Sequence, residues 1–315
     1  MSHRTGTDLY GGWWEDVTSE RPPPGWKAGD PVFDHVEVAP GRIILIGGPP
    51  GGGKTSLVNQ WVGGMLATNP DMRILVANVE MPPTALLSRH LSRLSDVPLS
   101  DIRRRQVADA DRVRLSDSAG RMRSWLDRLA FADDPHRLDA VARAGADFRA
   151  DLIVLDYIQR IAPADKSSGL RERMNMLVSD LRRLADQGGI AVLAAAAVSR
   201  SRDDSGRSSY AGRHLSLASL RESGELEFGA DDVLLLAATD ESDRTASVRS
   251  MLLSHAKSRY GEPKDIALSF DRRVQRFTPD EWIEAASPSP PPSNGRTTPK
   301  DHVNGERGRW MGGRS

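Results

Sequence analysis

The chain has 315 residues, no cysteine, and 43 basic residues balanced by 43 acidic ones. That balance leaves no global field to attract a polyanion, so any nucleic-acid binding must come from local placement. The lack of cysteine excludes disulfides and thiolate metal sites and makes a reducing compartment the simple default. No apolar run reaches the ~18 residues a membrane span needs, and no signal-peptide pattern is present. This predicts a cytoplasmic protein with no membrane partner. The histidines show no ligand-like spacing.

Residues 1–30 carry Gly11-Gly12-Trp13-Trp14 and then Pro22-Pro23-Pro24. A helix fits around Trp13 to Val17, and the prolines end it. Paired tryptophans outside a periodic element suggest a surface that docks on something, a subunit-docking arm, or else a segment folded back on its own domain. The apolar run Ile43-Ile44-Leu45-Ile46 then leads into Gly48-Pro49-Pro50-Gly51-Gly52-Gly53-Lys54-Thr55, which reads G-x-x-x-x-G-K-T. A strand feeding such a turn lets backbone N–H groups close around phosphate oxygens, where bulky side chains would block the approach. Lys54 can reach the outer phosphates, and Thr55 can place a hydroxyl on Mg²⁺. From Ser56 onward, Leu57, Val58, Trp61, Val62, Met65 and Leu66 recur at helical spacing. The positive end of that helix points at the nucleotide.

Further apolar runs occur at 74–79, 152–155, 190–198, 233–238 and 251–253, and helical patterns separate the early ones. Met174, Leu177, Val178, Leu181 and Leu184 mark one helix, which Gly188-Gly189 ends. The alternation predicts an α/β fold, a mostly parallel central sheet with helices on both faces. Residues 265–278 read as a closing β-hairpin. Glu80 ends the 74–79 run, where a carboxylate could orient and deprotonate an attacking water; Pro82-Pro83 begin a helix after it. Asp156 ends the 152–155 run, so its carboxylate arrives beside the glycine loop and can hold the Mg²⁺ shell through water. Between Ser199 and Arg221 stand Arg200, Arg202, Arg207, Arg213 and Arg221 against Asp203 and Asp204. Such a stretch can follow a phosphate backbone without reading sequence. From about residue 287 the Ser-Pro-Ser-Pro-Pro-Pro-Ser-Asn-Gly composition predicts disorder.

Four elements occur in order: Glu80-Met81 after a strand, Asp156-Tyr157-Ile158-Gln159, Leu220-Arg221-Glu222-Ser223-Gly224, and Ala256-Lys257-Ser258-Arg259. Together they resemble the C-terminal RecA-like motor domain of the DnaB-type replicative helicases. The resemblance runs from about residue 31 to 278 and implies a phosphate-loop ATPase motor domain at 31–280, between the 1–30 segment and a 281–315 tail. It implies ATP and Mg²⁺ as cofactors, bound through Gly48, Gly51, Gly52, Gly53, Lys54, Thr55, Ser56 and Arg89, with Asp156 the metal-associated acid and Glu80 the general base. It implies that Arg221, Glu222 and Gly224 grip single-stranded DNA, with Arg200 and Arg202 on the same segment. Lys257 and Arg259 match a pair inserted into a neighbouring subunit's ATP site; two apart in a strand, they share a face. A homo-oligomer, a hexameric ring, is implied, together with a primase or a helicase loader as partner.

Two departures from the family pattern stand out. Ala197 occupies the place of a glutamine that senses the terminal phosphate, and alanine cannot hydrogen-bond through its side chain. About 30 residues precede the motor domain, which predicts a form without the family's N-terminal helical collar. The leading expectation is an ATP-dependent DNA helicase or translocase acting in replication. A RecA-like recombination or clock-type ATPase, and a nucleotide-gated DNA-binding or loading factor, are the alternatives.

Overall fold

The computed structural model describes residues 3–283, apart from 135, 164–169, 199–200, 203–207, 210–214, 218, 221–223 and 241–244. Expectations for the tail from 287 onward concern residues outside this set.

Nine strands form one sheet: β1 (Ile43–Gly48), β2 (Ile74–Asn78), β3 (Leu129–Phe131), β4 (Leu152–Asp156), β5 (Ala191–Ala197), β8 (Asp232–Ala238), β9 (Val248–Ser258), β10 (Asp265–Asp271) and β11 (Arg276–Ile283). Their order is β11-β10-β9-β8-β1-β5-β4-β2-β3. From β8 to β3 every neighbouring pair is parallel. The remaining pairs, β8 to β9, β9 to β10 and β10 to β11, are antiparallel. The expected mostly parallel sheet is thus present, with a correction at its C-terminal side. The short run at 251–253 lies inside an eleven-residue strand, and the closing hairpin is the outer part of an antiparallel meander that runs to Ile283.

The parallel strands are apolar on both faces because both are covered. Ile44 and Ile46 point into one core with Trp61, Leu57 and Met65 of α2 (Lys54–Thr68). Ile43 and Leu45 point into the other with Met174, Leu177, Leu181 and Ala185 of α7 (Leu170–Gly188) and Val141 of α6 (Leu138–Phe148). α7 ends at Gly188, and Gly189 takes φ +60°. α3 (Pro83–Ser95) starts at a proline, as read from Pro82-Pro83. α4 (Leu99–Arg104) and α5 (Asp109–Arg123) follow before β3.

The N-terminal segment corrects the reading of its tryptophans as lying outside a periodic element. They sit within α1 (Gly6–Thr18), which Thr5 caps in a reciprocal box with Asp8. None of its residues is buried, and Tyr10, Trp13 and Trp14 cluster on it with ring centroids 5.8 to 6.3 Å apart.

Candidate nucleotide-hydrolysis site

β1 delivers the chain to Gly48, and α2 begins at Lys54, so the glycine turn sits between a strand end and a helix N-terminus. Two positions show why glycine is needed. A Cβ on Gly48 would lie 2.6 Å from the Leu236 carbonyl oxygen. One on Gly53, at φ +94°, would lie 2.9 Å from Cζ of Phe277. The Phe270 and Phe277 rings stack at 4.1 Å behind Gly53, so the C-terminal meander backs the loop. Lys54 Nζ donates to the Gly48 and Pro49 carbonyls at 2.8 and 3.0 Å. Burial pulls its pKa down, and Asp156 and Glu80 oppose that shift.

Strand ends bring the acids in. Asp156 closes β4, opposite Asn78 on one side and Ala195 on the other. Burial raises its pKa, while a hydrogen bond with Thr55 and the Lys54 charge oppose the rise. Glu80 follows β2 and faces the same cavity of about 370 Å³. Gly51, Gly52, Gly53, Lys54, Thr55 and Ser56 line that cavity, as do Arg89 and Asp156. The loop, base and acid residues expected at the nucleotide line this one cavity, except Gly48, which ends β1.

The glycine cradle, the buried ammonium and the paired hydroxyl and carboxylate fit a Mg²⁺-nucleotide. Thr55 and Asp156 are hard oxygen donors, and Mg²⁺ commonly takes one or two such groups with phosphates and water completing its shell. Among the described residues no group of three or more His, Asp or Glu is placed to hold a metal by itself. The phosphates of a substrate would have to contribute.

Some site residues were not read from the sequence. Gln275, at φ +59° between β10 and β11, accepts from Ser56 Oγ at 2.7 Å and from Arg89 Nη1 through a very short contact. Burial lowers the pKa of Arg89. Asn78 links Asp156 to the turn bearing Glu80. Ala197 also lines the cavity, and Gln159 holds both its N–H and its carbonyl, at 3.2 and 3.0 Å.

Residues 35–279 match the family model of the DnaB-like helicase C terminal domain. The chain belongs to that family. A replicative DNA helicase DnaB from Leifsonia xyli subsp. xyli is 24% identical over 247 residues, an alignment covering 76% of this chain and 52% of that relative. The chain therefore spans about half the length of this curated relative. Among solved structures, the ATPase domain of G40P superposes with a TM-score of 0.75 at 20% identity, covering 89% of this chain and all of that one. A DnaB-like replicative helicase studied for its interactions with primase gives 0.74 at 20% identity, covering 87% and 68%. At this identity the two structures establish the RecA-type fold.

The two cations matched by resemblance to the family's pair lie away from the loop. Lys257 is in β9, and Arg259 stands just past its end at Ser258, which corrects the expectation that both project from one strand face. Their side chains still converge. Lys257 Nζ donates to the Glu227 and Ala230 carbonyls at 2.7 and 2.8 Å, and Arg259 donates to Phe228 O at 3.4 Å. These carbonyls lie at or just after the end of α8 (Gly224–Gly229), where the helix dipole favours cations. Burial lowers the Lys257 pKa, and the neighbouring Arg259 adds to the shift. Arg259 Nη1 also lies 2.9 Å from Asp231, whose other oxygen takes Arg182 Nη1 and Ile43 N. Arg259 is thus level with the start of β1, about 17 Å along the strand from Gly48 at roughly 3.3 Å per residue.

Of the residues assigned to DNA, Gly224 opens α8, and Arg202 lies in the short pair β6 (Ser201–Arg202) and β7 (Ser208–Ser209). Arg200, Arg221 and Glu222 lie outside the described residues. Among the described residues no helix is long and apolar enough to cross a membrane.

Proposed function

We propose that this chain is an ATP-dependent helicase or translocase on single-stranded DNA, working in replication as a ring that hydrolyses Mg-ATP between subunits. One observation carries the reading: the glycine loop, Glu80 and Asp156 line one cavity, while Lys257 and Arg259, matched to the family's trans-acting pair, stand at the other end of the sheet, level with the start of β1. A head-to-tail neighbour would bring the two together, and repeating that contact with a closing rotation gives a ring, here proposed as a hexamer.

Each residue then has a role. The turn Gly48–Gly53 and Ser56 at the helix N-terminus cradle the phosphates, Lys54 holds the outer ones, and Arg89 approaches from α3. Thr55 and Asp156 would hold Mg²⁺, which supplies charge neutralisation at the phosphates when bound. Glu80 orients the attacking water and takes its proton. Arg259 and Lys257 of one protomer stabilise charge developing in the site of the next. Arg200, Arg202, Arg221, Glu222 and Gly224 contact the DNA backbone. The exposed aromatic face of α1 is the proposed subunit-docking arm within residues 1–30, ahead of the motor domain at 31–280 and the 281–315 tail. A primase or a helicase loader is the proposed protein partner, in the cytoplasm.

Steady-state ATPase rates with and without single-stranded DNA test this, followed by strand displacement on a fork. Stimulation that vanishes in Lys54→Ala supports the reading. Hydrolysis indifferent to DNA would shift it toward a nucleotide-gated binding factor, and wild-type turnover in Lys54→Ala would refute it.

A further inference from the structure

Asn78 is the last residue of β2 and stands opposite Asp156 in the parallel register. Its Nδ2 donates to Asp156 Oδ2 at 2.7 Å. Its Oδ1 accepts from the backbone N–H groups of Glu80 and Met81 at 3.0 and 2.8 Å. The network fixes the orientation of the amide. Two backbone N–H groups can only donate, so the oxygen must face them; an ionised carboxylate can only accept, so the NH₂ must face Asp156. An asparagine that merely opens a turn needs only the acceptor half. Here the donor half reaches across to the neighbouring strand and the acid that ends it. A second link runs parallel to it, from Val79 N to the Asp156 carbonyl at 3.0 Å.

We infer that Asn78 is a positioning residue for hydrolysis, its single carboxamide setting the placement of the metal-associated acid Asp156 relative to the base Glu80. This rests on the ATPase reading above. No other side chain of similar size does both jobs. Aspartate keeps the acceptor but sets a second carboxylate against Asp156. Leucine keeps the volume and leaves one carboxylate oxygen and two N–H groups without their partner. Serine is too short to serve both sides.

The decisive variant is Asn78→Asp in the full chain, because it retains the turn and replaces the donor with a second carboxylate against Asp156. Amide hydrogen exchange at Glu80 and Met81 should stay as slow as in the parent. The Mg²⁺ half-saturation of binding to a fluorescent ATP analogue should shift. Turnover should fall roughly ten- to a hundredfold, the equivalent of one hydrogen bond to a charged group, with KM nearly unchanged. Asn78→Leu should show the same loss together with faster exchange at both amides. Parental turnover and parental Mg²⁺ response in Asn78→Asp would overturn the inference while leaving the ATPase reading intact. A parent protein that binds no analogue with Mg²⁺ would overturn both.

Discussion

Replacing Arg259 with alanine separates a role in the neighbour's site from one in its own. Within its own protomer the residue is half-exposed and partnered by Asp231 and the Phe228 carbonyl. Its removal leaves Asp231 with Arg182 and Ile43 N at 2.8 and 2.9 Å. Asp231 is buried, and its Oδ1 loses the Arg259 partner, so the stability cost should be about 1–3 kcal/mol. Nucleotide binding should persist, since the cavity around Lys54 lies about 17 Å further along β1 at roughly 3.3 Å per residue. Turnover, by contrast, should drop on the order of 10³-fold or more, the typical effect of losing an arginine finger. The assay is ATP hydrolysis by mixtures of Arg259→Ala with Glu80→Ala. A working site needs Glu80 from the first variant and Arg259 from the second as its neighbour. In a randomly assembled head-to-tail ring, about one site in four meets that condition at equal mixing. Activity should rise to that fraction from near zero and peak at equal proportions. No rescue at any ratio, with both variants shown to co-assemble, would refute the shared site.

Gly53→Ala forces a Cβ to 2.9 Å from Phe277 and 3.2 Å from Phe270 at φ +94°. It should cost about 1–3 kcal/mol in thermal melts and weaken nucleotide binding. Gly120→Ala in α5, where nothing lies within 4 Å of the added carbon, is the matched control and should not destabilise. His90 is fully buried, and burial lowers its pKa to about 3 from 6.5. Above pH 6.5 both folded and unfolded states are neutral there; below it only the unfolded chain takes the proton. Stability should fall by about 1.4 kcal/mol per pH unit, or about 2 kcal/mol from pH 6.5 to 5. Urea unfolding of His90→Phe at both pH values should show that much less slope, and an identical slope would exclude His90 as its source. Arg221→Ala should weaken single-stranded DNA binding and lower the salt slope by about one; unchanged affinity at low salt would remove Arg221 from the interface.

The parallel half of the sheet was readable because each of its longer strands is buried on both faces and so appears as an unbroken apolar run. α7 was readable because Met174, Leu177 and Leu181 keep one helical stripe. β3 was not, since three residues make no pattern. α5 buries only Ser118 and Met122, so it carries no stripe to detect. β9 alternates between buried Met251, Leu253 and His255 and more exposed neighbours, so only the middle of it read as a strand. Within the site, the loop and both acids stand at strand ends and announce themselves. Gln275 and Asn78 do not, because the partners that tie them to Ser56 and Asp156 lie 219 and 78 residues away. Lys257 and Arg259 had no signal of their own beyond the family resemblance, since two cations at a strand end usually face water.

The strand order has a consequence for synthesis. β1 lies between β5 and β8, so Ile43 finds its first ladder partner only at Val192. Roughly 150 further residues must leave the ribosome before β1 can pair, which at about 5–20 residues per second takes on the order of 10–30 s. Through that interval Ile43-Ile44-Leu45-Ile46 is an apolar segment with neither edge covered, the kind of sequence that adheres to other nascent chains. Among the strands of the sheet, the one that delivers the phosphate loop thus waits longest for a partner during translation.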